Sequence, residues 1–337
     1  MEKYYSLKNI VNRNPKNNNE ILIFSIIKIQ SIFRGFSLRN KFFNNRTLFN
    51  SSFFKTTENL SYFQIKYNII TNEEIHELFT IYPKIADKTA VVCLKSIEYS
   101  NGCQYYGEWN QTKNQKHGRG IQKWPNGPTY SGYFKSNKAN GKGKLIFEEG
   151  EMYEGNWVNN RANGFGKYIS SEVQYEGEWK NDIQDGIGTE TWEDGSMYIG
   201  EFKKGEKTGE GKFIYNDGSN YVGSFLNNNF HGKGKYIWAD GREYEGDWNF
   251  NKINGNGVFK WSDGRKYIGE YKDDKKNGYG IFEWPNGKKY KGFWKNGKQD
   301  GEGEVYDTKK KIWIKGFWKE GKLVNTNKNY NEIENNK

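Results

Sequence analysis

The sequence is poor in the residues most chemistry needs. It holds 2 cysteines and 3 histidines in 337 residues. Cys93 and Cys103 offer neither a zinc-ligand spacing nor a disulfide framework, and they fit a reduced, intracellular setting. His76, His117 and His231 lie far apart in the chain, and the last two fill the same slot of a repeat, directly before a glycine. No nucleophile motif, phosphate loop or metal-ligand cluster accompanies them, so no catalytic residue, metal or cofactor is expected. Long hydrophobic runs are missing too. Residues 21–27 are interrupted by Ser25 and fall well short of the about 20 apolar residues that a bilayer span needs. No small-residue cleavage site follows them, as a signal peptide would require. Apolar residues reach only 34%, where about 45–50%, glycine included, is usual for a globular domain.

What the chain has instead is glycine, 40 residues, and aromatics, 17%. Disordered chains are poor in aromatics, so this combination points to repetition. The net charge is +11 and uneven, because residues 1–50 hold nine Lys/Arg against two Glu. That basic N-terminus suits an acidic partner: an acidic protein, a phospholipid surface or a polyanion. The abundant asparagine reads as a compositional bias.

One pattern recurs: aromatic, any residue, glycine, any residue, aromatic. It begins at Tyr105–Gly107–Trp109 and runs through Tyr244–Gly246–Trp248 and Tyr267–Gly269–Tyr271 to Tyr290–Gly292–Trp294. The central glycines recur 22 to 25 residues apart, and Ile314–Gly316–Trp318 makes a degenerate tenth start. Each unit continues with Gly–x–Gly and an aromatic four residues on. Trp124, Trp192, Trp238, Trp261 and Trp284 occupy that last position, while Trp179 closes the aromatic pattern of unit four. The period is two throughout, which is strand periodicity, and a glycine-laden helix would cost about 1 kcal/mol per glycine.

The loop size follows from keeping the rings together. A two-residue Asn286–Gly287 turn would put Trp284 and Tyr290 on opposite faces. A three-residue loop pairs Trp284 with Lys288 and Phe282 with Tyr290, so all rings share one face, with a left-handed glycine as a bulge. The stem glycines then leave room for a large ring from the adjacent unit to lie flat on the backbone. The expected fold is mainly β: an elongated single-layer antiparallel meander of stacked hairpins, preceded by an N-terminal α-helix. Each unit would advance about 9–10 Å and touch only its neighbours. The second face, rich in Lys, Glu and Asn, should be wet. Unit three is the weak one, with Val173 where the turn glycine belongs.

These units resemble the MORN repeat over about two-thirds of the chain. The resemblance implies a hairpin array that serves as a scaffold or dimerisation module, with lipid binding often proposed. The array is expected over residues 94–323, capped by half-units at Lys95–Gly102 and Ile312–Trp318, with a polar tail at 324–337.

Residues 20–45 follow a disordered or extended tail, 1–19. On a helical wheel Leu22, Ile26, Ile29, Phe33, Phe36 and Phe43 share one side, with Arg34, Arg39 and Lys41 beside or opposite them. This is a basic amphipathic helix of the kind that meets membranes or calmodulin. Ile29, Gln30, Arg34, Gly35 and Arg39, with Phe42 as the last apolar position, also resemble a complete IQ motif. The resemblance implies binding of calmodulin or a calmodulin-like EF-hand protein: Ile29 and Gln30 held by one lobe, Arg34, Gly35 and Arg39 facing the other, Phe33 on the shared apolar side. Residues 46–93 read as a mixed linker with a short helix over 72–82, begun by a Thr71–Glu74 capping box and ended by Pro83.

From residue 51 onward charge is nearly balanced and the aromatics are committed to the sheet, which argues against nucleic acid. The whole resembles radial-spoke and other axonemal MORN proteins of ciliated protists. That implies a cytoplasmic, cytoskeletal scaffold in a cilium or flagellum, with axonemal structural proteins as partners and side-by-side self-association compatible with its exposed strands. The alternative is a cortical scaffold on acidic phospholipids.

Overall fold

A computed structural model describes residues 70–85, 91–125, 127–147 and 150–326. The expected helix over 20–45, with Ile29, Gln30, Phe33, Arg34, Gly35, Arg39 and Phe42, lies outside the described residues. The described chain is mainly β, one helix followed by an open antiparallel meander of 21 strands. It forms two compact units that divide between Glu193 and Asp194.

The first unit opens with α1 (Asn72–Ile81). Its start is fixed by the capping box: Glu74 N–H donates to Thr71 Oγ1 at 3.3 Å, and Thr71 N–H donates to Glu74 Oε2 at 2.8 Å. These two bonds satisfy donors that the first helical turn leaves unpaired. Strands β1 (Val92–Glu98), β2 (Gln104–Asn110), β3 (Gln115–Lys123), β4 (Thr129–Lys135) and β5 (Lys138–Ile146) follow, then β6 (Met152–Val158), β7 (Arg161–Ile169), β8 (Val173–Lys180) and β9 (Ile183–Trp192). The second unit carries β10 (Met197–Lys203), β11 (Glu206–Ile214), β12 (Asn220–Leu226), β13 (Asn229–Ile237), β14 (Glu243–Asn249) and β15 (Lys252–Lys260). It ends with β16 (Lys266–Lys272), β17 (Lys275–Glu283), β18 (Lys289–Lys295), β19 (Lys298–Asp307), β20 (Ile312–Lys319) and β21 (Lys322–Thr326). Regular strands therefore begin two residues before the expected 94 and end three after the expected 323.

Two kinds of turn alternate. One is the three-residue loop: Trp284 N–H donates to Lys288 O at 2.9 Å, Gly287 N–H returns to Trp284 O at 3.0 Å, and Phe282 faces Tyr290 in register. Gly287 has φ 82°, a left-handed value that a side chain would strain. Unit three lacks that glycine and closes with two residues instead, Ser170 N–H donating to Val173 O at 2.9 Å, and Tyr168 still faces Tyr175. The other turn, which the sequence reading did not assign, joins the two strands within a repeat by two residues. Asn227 and Asn228 (φ 48° and 65°) and Asp273 and Asp274 (φ 46° and 64°) both take left-handed values. Two such residues make the mirror-image turn whose twist matches the strands it joins. The strand ahead of it slips register after its central glycine, as between Gly269 and Tyr271, the signature of a bulge.

Candidate interaction surfaces

One face of the meander is filled by rings. Tyr105, Trp109, Trp179, Trp238, Tyr244, Trp248, Tyr267, Tyr290 and Trp294 are buried, and Trp124, Trp192, Trp261 and Trp284 are half-buried. Phe282 stacks tilted on Trp284 at 4.4 Å and faces Tyr290 across the strands, so Trp284 and Tyr290 share a side. The tyrosine of each repeat lies over the paired stem glycines of its own repeat, not over those of the neighbour as the sequence reading expected. A Cβ added at Gly211 would sit 2.6 Å from Tyr198 Oη, and one at Gly200 would sit 2.4 Å from it. The tyrosine reaches its own strand because its hydroxyl donates to the carbonyl three residues on, as Tyr198 does to Glu201 O at 3.0 Å. Only bare backbone leaves a ring that path.

The second ring of each pattern reaches back to the preceding repeat. Trp157 Nε1–H donates to Gly143 O at 2.9 Å, Trp179 to Gly166 O at 3.0 Å, and Trp248 to Gly234 O at 3.1 Å. The same rings meet the preceding tyrosine edge-to-face: Tyr130 and Trp157 at 5.4 Å, Tyr221 and Trp248 at 5.5 Å. Such pairs favour contact of a positive ring edge with a negative ring face. Repeat-to-repeat cohesion thus uses both polar and apolar parts of tryptophan.

A second tie leaves no local signal in the sequence. In most of the two-residue turns within a repeat the second residue grips the repeat before it. Asn160 N–H donates to Ala139 O, and Asn160 Oδ1 accepts Ala139 N–H at 2.7 Å. Asn137, Asn228 and Asn251 do the same to Lys116, Lys207 and Phe230. The ladder to the following strand stops two residues away from those amides, at Gly118, Gly141, Gly209 and Gly232, and a short amide side chain supplies the missing partner. Part of the asparagine excess is therefore structural. Asp182 and Asp274 hold two of these positions, on Ala162 and Ile253. Burial pushes the Asp182 carboxyl up to about 6, against the lowering effect of the Ala162 N–H and Arg161.

Three lysines sit in the ring face where polarity would place none. Lys116, Lys207 and Lys276 are buried in a slot that holds Ala139, Ala162 and Ile253 in other repeats. Lys276 Nζ lies 4.5 Å from the Phe282 ring and 4.9 Å from Trp294, and Lys116 Nζ lies 5.1 Å from Tyr105. Ring faces partly replace the water an ammonium loses. Burial still lowers Lys116 to about 8.

The opposite face carries the residues between the rings, and α1 covers its beginning. Leu78 and Tyr82 join Ile121 and Tyr133 in a core, with Ile70, Ile75 and Phe79 against it. Arg119 lies over the Phe79 ring at 4.5 Å, Tyr82 meets Tyr133 edge-to-face at 5.5 Å, and Lys123 pairs with Glu74 at 2.9 Å. Farther along this unit the face turns charged, as where Lys167 meets Glu176 at 3.7 Å.

Among the described residues no group of three His, Cys, Asp or Glu is placed to hold a metal ion. His76 lies on α1, His117 on β3 and His231 on β13, so these three are not brought into one site. No described helix is long and apolar enough to cross a membrane.

A family model of the MORN repeat matches nine times between residues 105 and 307, first at 105–129 and last at 290–307. No curated protein matches the chain. Among solved structures, the chain is similar to the "SAS-4 (dCPAP) TCP domain in complex with a Proline Rich Motif of Ana2 (dSTIL) of Drosophila Melanogaster", at 16% identity and TM-score 0.28, covering 56% of this chain and 98% of that one. It is also similar to a streptogramin B lyase, at 10% identity and TM-score 0.13, covering 71% of this chain and 83% of that one.

Proposed function

Because the chain belongs to the MORN-repeat family, we propose that it is a non-catalytic scaffold in a ciliary or flagellar axonemal assembly, a radial spoke or related complex, carrying a calmodulin-like EF-hand subunit on its basic N-terminal segment. The observation that carries this reading is the division of labour between sequence and sheet. The rings are spent on joining repeats, and the charged side chains of the other face are left for partners. The IQ-like run Ile29–Arg39 supplies the second attachment, and acidic EF-hand lobes complement a segment of nine Lys/Arg and two Glu. The protein is expected in the cytoplasm, on the cytoskeleton of the cilium. Native purification tests it: the chain should co-purify with axonemes and an EF-hand protein, and Ile29→Asp with Arg34→Glu should release the EF-hand protein alone. Recovery of neither partner would sink the proposal.

The same N-terminal charge favours one second reading, a cortical scaffold on acidic phospholipids. Sedimentation with anionic liposomes, lost on removal of residues 1–50, would favour it over the axonemal one.

A further inference from the structure

In the second unit the rings form two rows that use their polar groups differently. The inner row closes each aromatic pattern: Trp248 and Trp294 are buried, and their indole N–H groups donate to Gly234 O at 3.1 Å and Gly280 O at 3.3 Å. The outer row stands at the three-residue loops, one ring per repeat, at Tyr215, Trp238, Trp261 and Trp284. Phe259 bridges Trp238 and Trp261 at 5.2 and 4.4 Å, and Phe282 bridges Trp261 and Trp284 at 5.4 and 4.4 Å, so the row is continuous. Trp261 and Trp284 are half-buried, and among the described residues their indole N–H groups have no acceptor. The first unit holds no such row, because Ser170 interrupts it between Phe147 and Trp192.

Charge does not select a ligand here. Arg242, Arg265 and Lys288 lie over Trp238, Trp261 and Trp284 at 5.2, 5.3 and 5.3 Å, but Asp240 and Asp263 hold the two arginines at 2.8 Å. What the row offers is apolar ring surface with a hydrogen-bond donor at a fixed interval. The interval selects a backbone. Each repeat advances by two strands, about 9–10 Å. A polyproline II helix rises about 3.1 Å per residue with three residues per turn, so every third residue returns to one side after about 9.3 Å. A β-strand turns residues at that odd spacing to opposite sides. An α-helix returns a residue to one side at i+7, after about 10.5 Å, and drifts off the rings by about an ångström per repeat. Polyproline II backbone also keeps its carbonyls free of internal hydrogen bonds, and aromatic-lined grooves are its usual dock.

We propose that the Trp238–Trp261–Trp284 row docks a proline-rich segment of a partner protein, held as a polyproline II helix across the strands with every third residue a proline on successive rings. The inference is independent of the adaptor reading, since neither residues 1–50 nor an EF-hand subunit enters it. The probes are two dansyl-labelled, uncharged peptides of twelve residues and identical composition, mixed with the full chain and followed by fluorescence anisotropy. One spaces its three prolines three residues apart, the other four apart, which winds them around the helix. The first should bind saturably and the second at least fivefold more weakly. Trp261→Phe with Trp284→Phe keeps both rings but removes both donors, and should weaken the first peptide at least fivefold. Trp124→Phe, in the first unit, should change nothing. A photoreactive benzophenone on the first peptide should label residues 238–288 of the unaltered chain, a readout that needs no variant to fold. Absence of saturable binding, equal binding of the two peptides, indifference to the double variant, or labelling confined to the first unit would overturn the proposal. So would displacement of the peptide by an equimolar thymidine dodecamer, because that result assigns the row to base stacking.

Discussion

Asp182 should destabilise the protein at neutral pH, and replacing it by asparagine should strengthen the fold. The carboxyl sits in a left-handed turn (φ 71°) and accepts Ala162 N–H at 2.7 Å, with burial raising it from 3.8 to about 6. A group raised on folding favours the folded state most when protonated. Its contribution is full below about pH 4 and lost as pH rises through 6. A shift of roughly two pH units is worth about 3 kcal/mol at 1.36 kcal/mol each, and partial hydration reduces that to about 1–3 kcal/mol. Asn137, Asn160, Asn228 and Asn251 show that an amide oxygen makes the same bond without ionising. Urea unfolding of wild type and Asp182→Asn, followed by tryptophan fluorescence between pH 4 and 8, isolates the residue, because other carboxylates titrate alike in both proteins. The variant should be more stable by about 1–3 kcal/mol at pH 7, the two curves converging near pH 4. A difference that does not change with pH, or a variant weaker throughout, would refute the reasoning.

Three further outcomes follow from the same geometry. Lys116, lowered to about 8 by burial, holds its penalty in full below pH 8, so wild-type stability should climb between pH 8 and 10.5. Lys116→Met should abolish that climb and gain up to about 3 kcal/mol at pH 7, measured by the same titration. Gly211→Ala would put a methyl 2.6 Å from Tyr198 Oη, and the displaced ring should cost about 1–3 kcal/mol in urea unfolding. Trp157→Phe keeps a ring but removes the donor to Gly143 O, so thermal unfolding should report a loss of about 1–2 kcal/mol.

The hairpins were legible because their signals are local. Period-two aromatics, a glycine at each loop and the wish to keep Trp284 and Tyr290 together fix the three-residue loop and the register Phe282–Tyr290. The capping box at Thr71 and Glu74 likewise announces α1 within four residues of sequence. What stayed hidden depends on contacts some twenty residues apart. Nothing local says that Asn160 reaches Ala139, or that the ladder beside the amide it caps ends at Gly141. Lys276 reads as solvent-facing until Phe282 and Trp294 are seen around its ammonium. Nor does the sequence of α1 say which side of the sheet it covers, since Ile121 and Tyr133 read as isolated apolar residues among polar neighbours.

The turn-to-repeat grip has a directional consequence. In the second unit the side-chain clasp is present at Asn228, Asn251 and Asp274, but the corresponding turns after β18 and β20 carry Gly297 and Gly321, which keep only the main-chain bond to Lys276 and Gln299. The turns after β18 and β20 thus lack the asparagine or aspartate clasp, as the Lys204–Gly205 turn after β10 also does, and at the final turn surface bonds from Glu320 to Lys298 and Asp300 stand in its place. Under load or denaturant, peeling from the C-terminal edge should therefore meet its first part-buried side-chain clasp only at Asp274, where resistance is expected to rise.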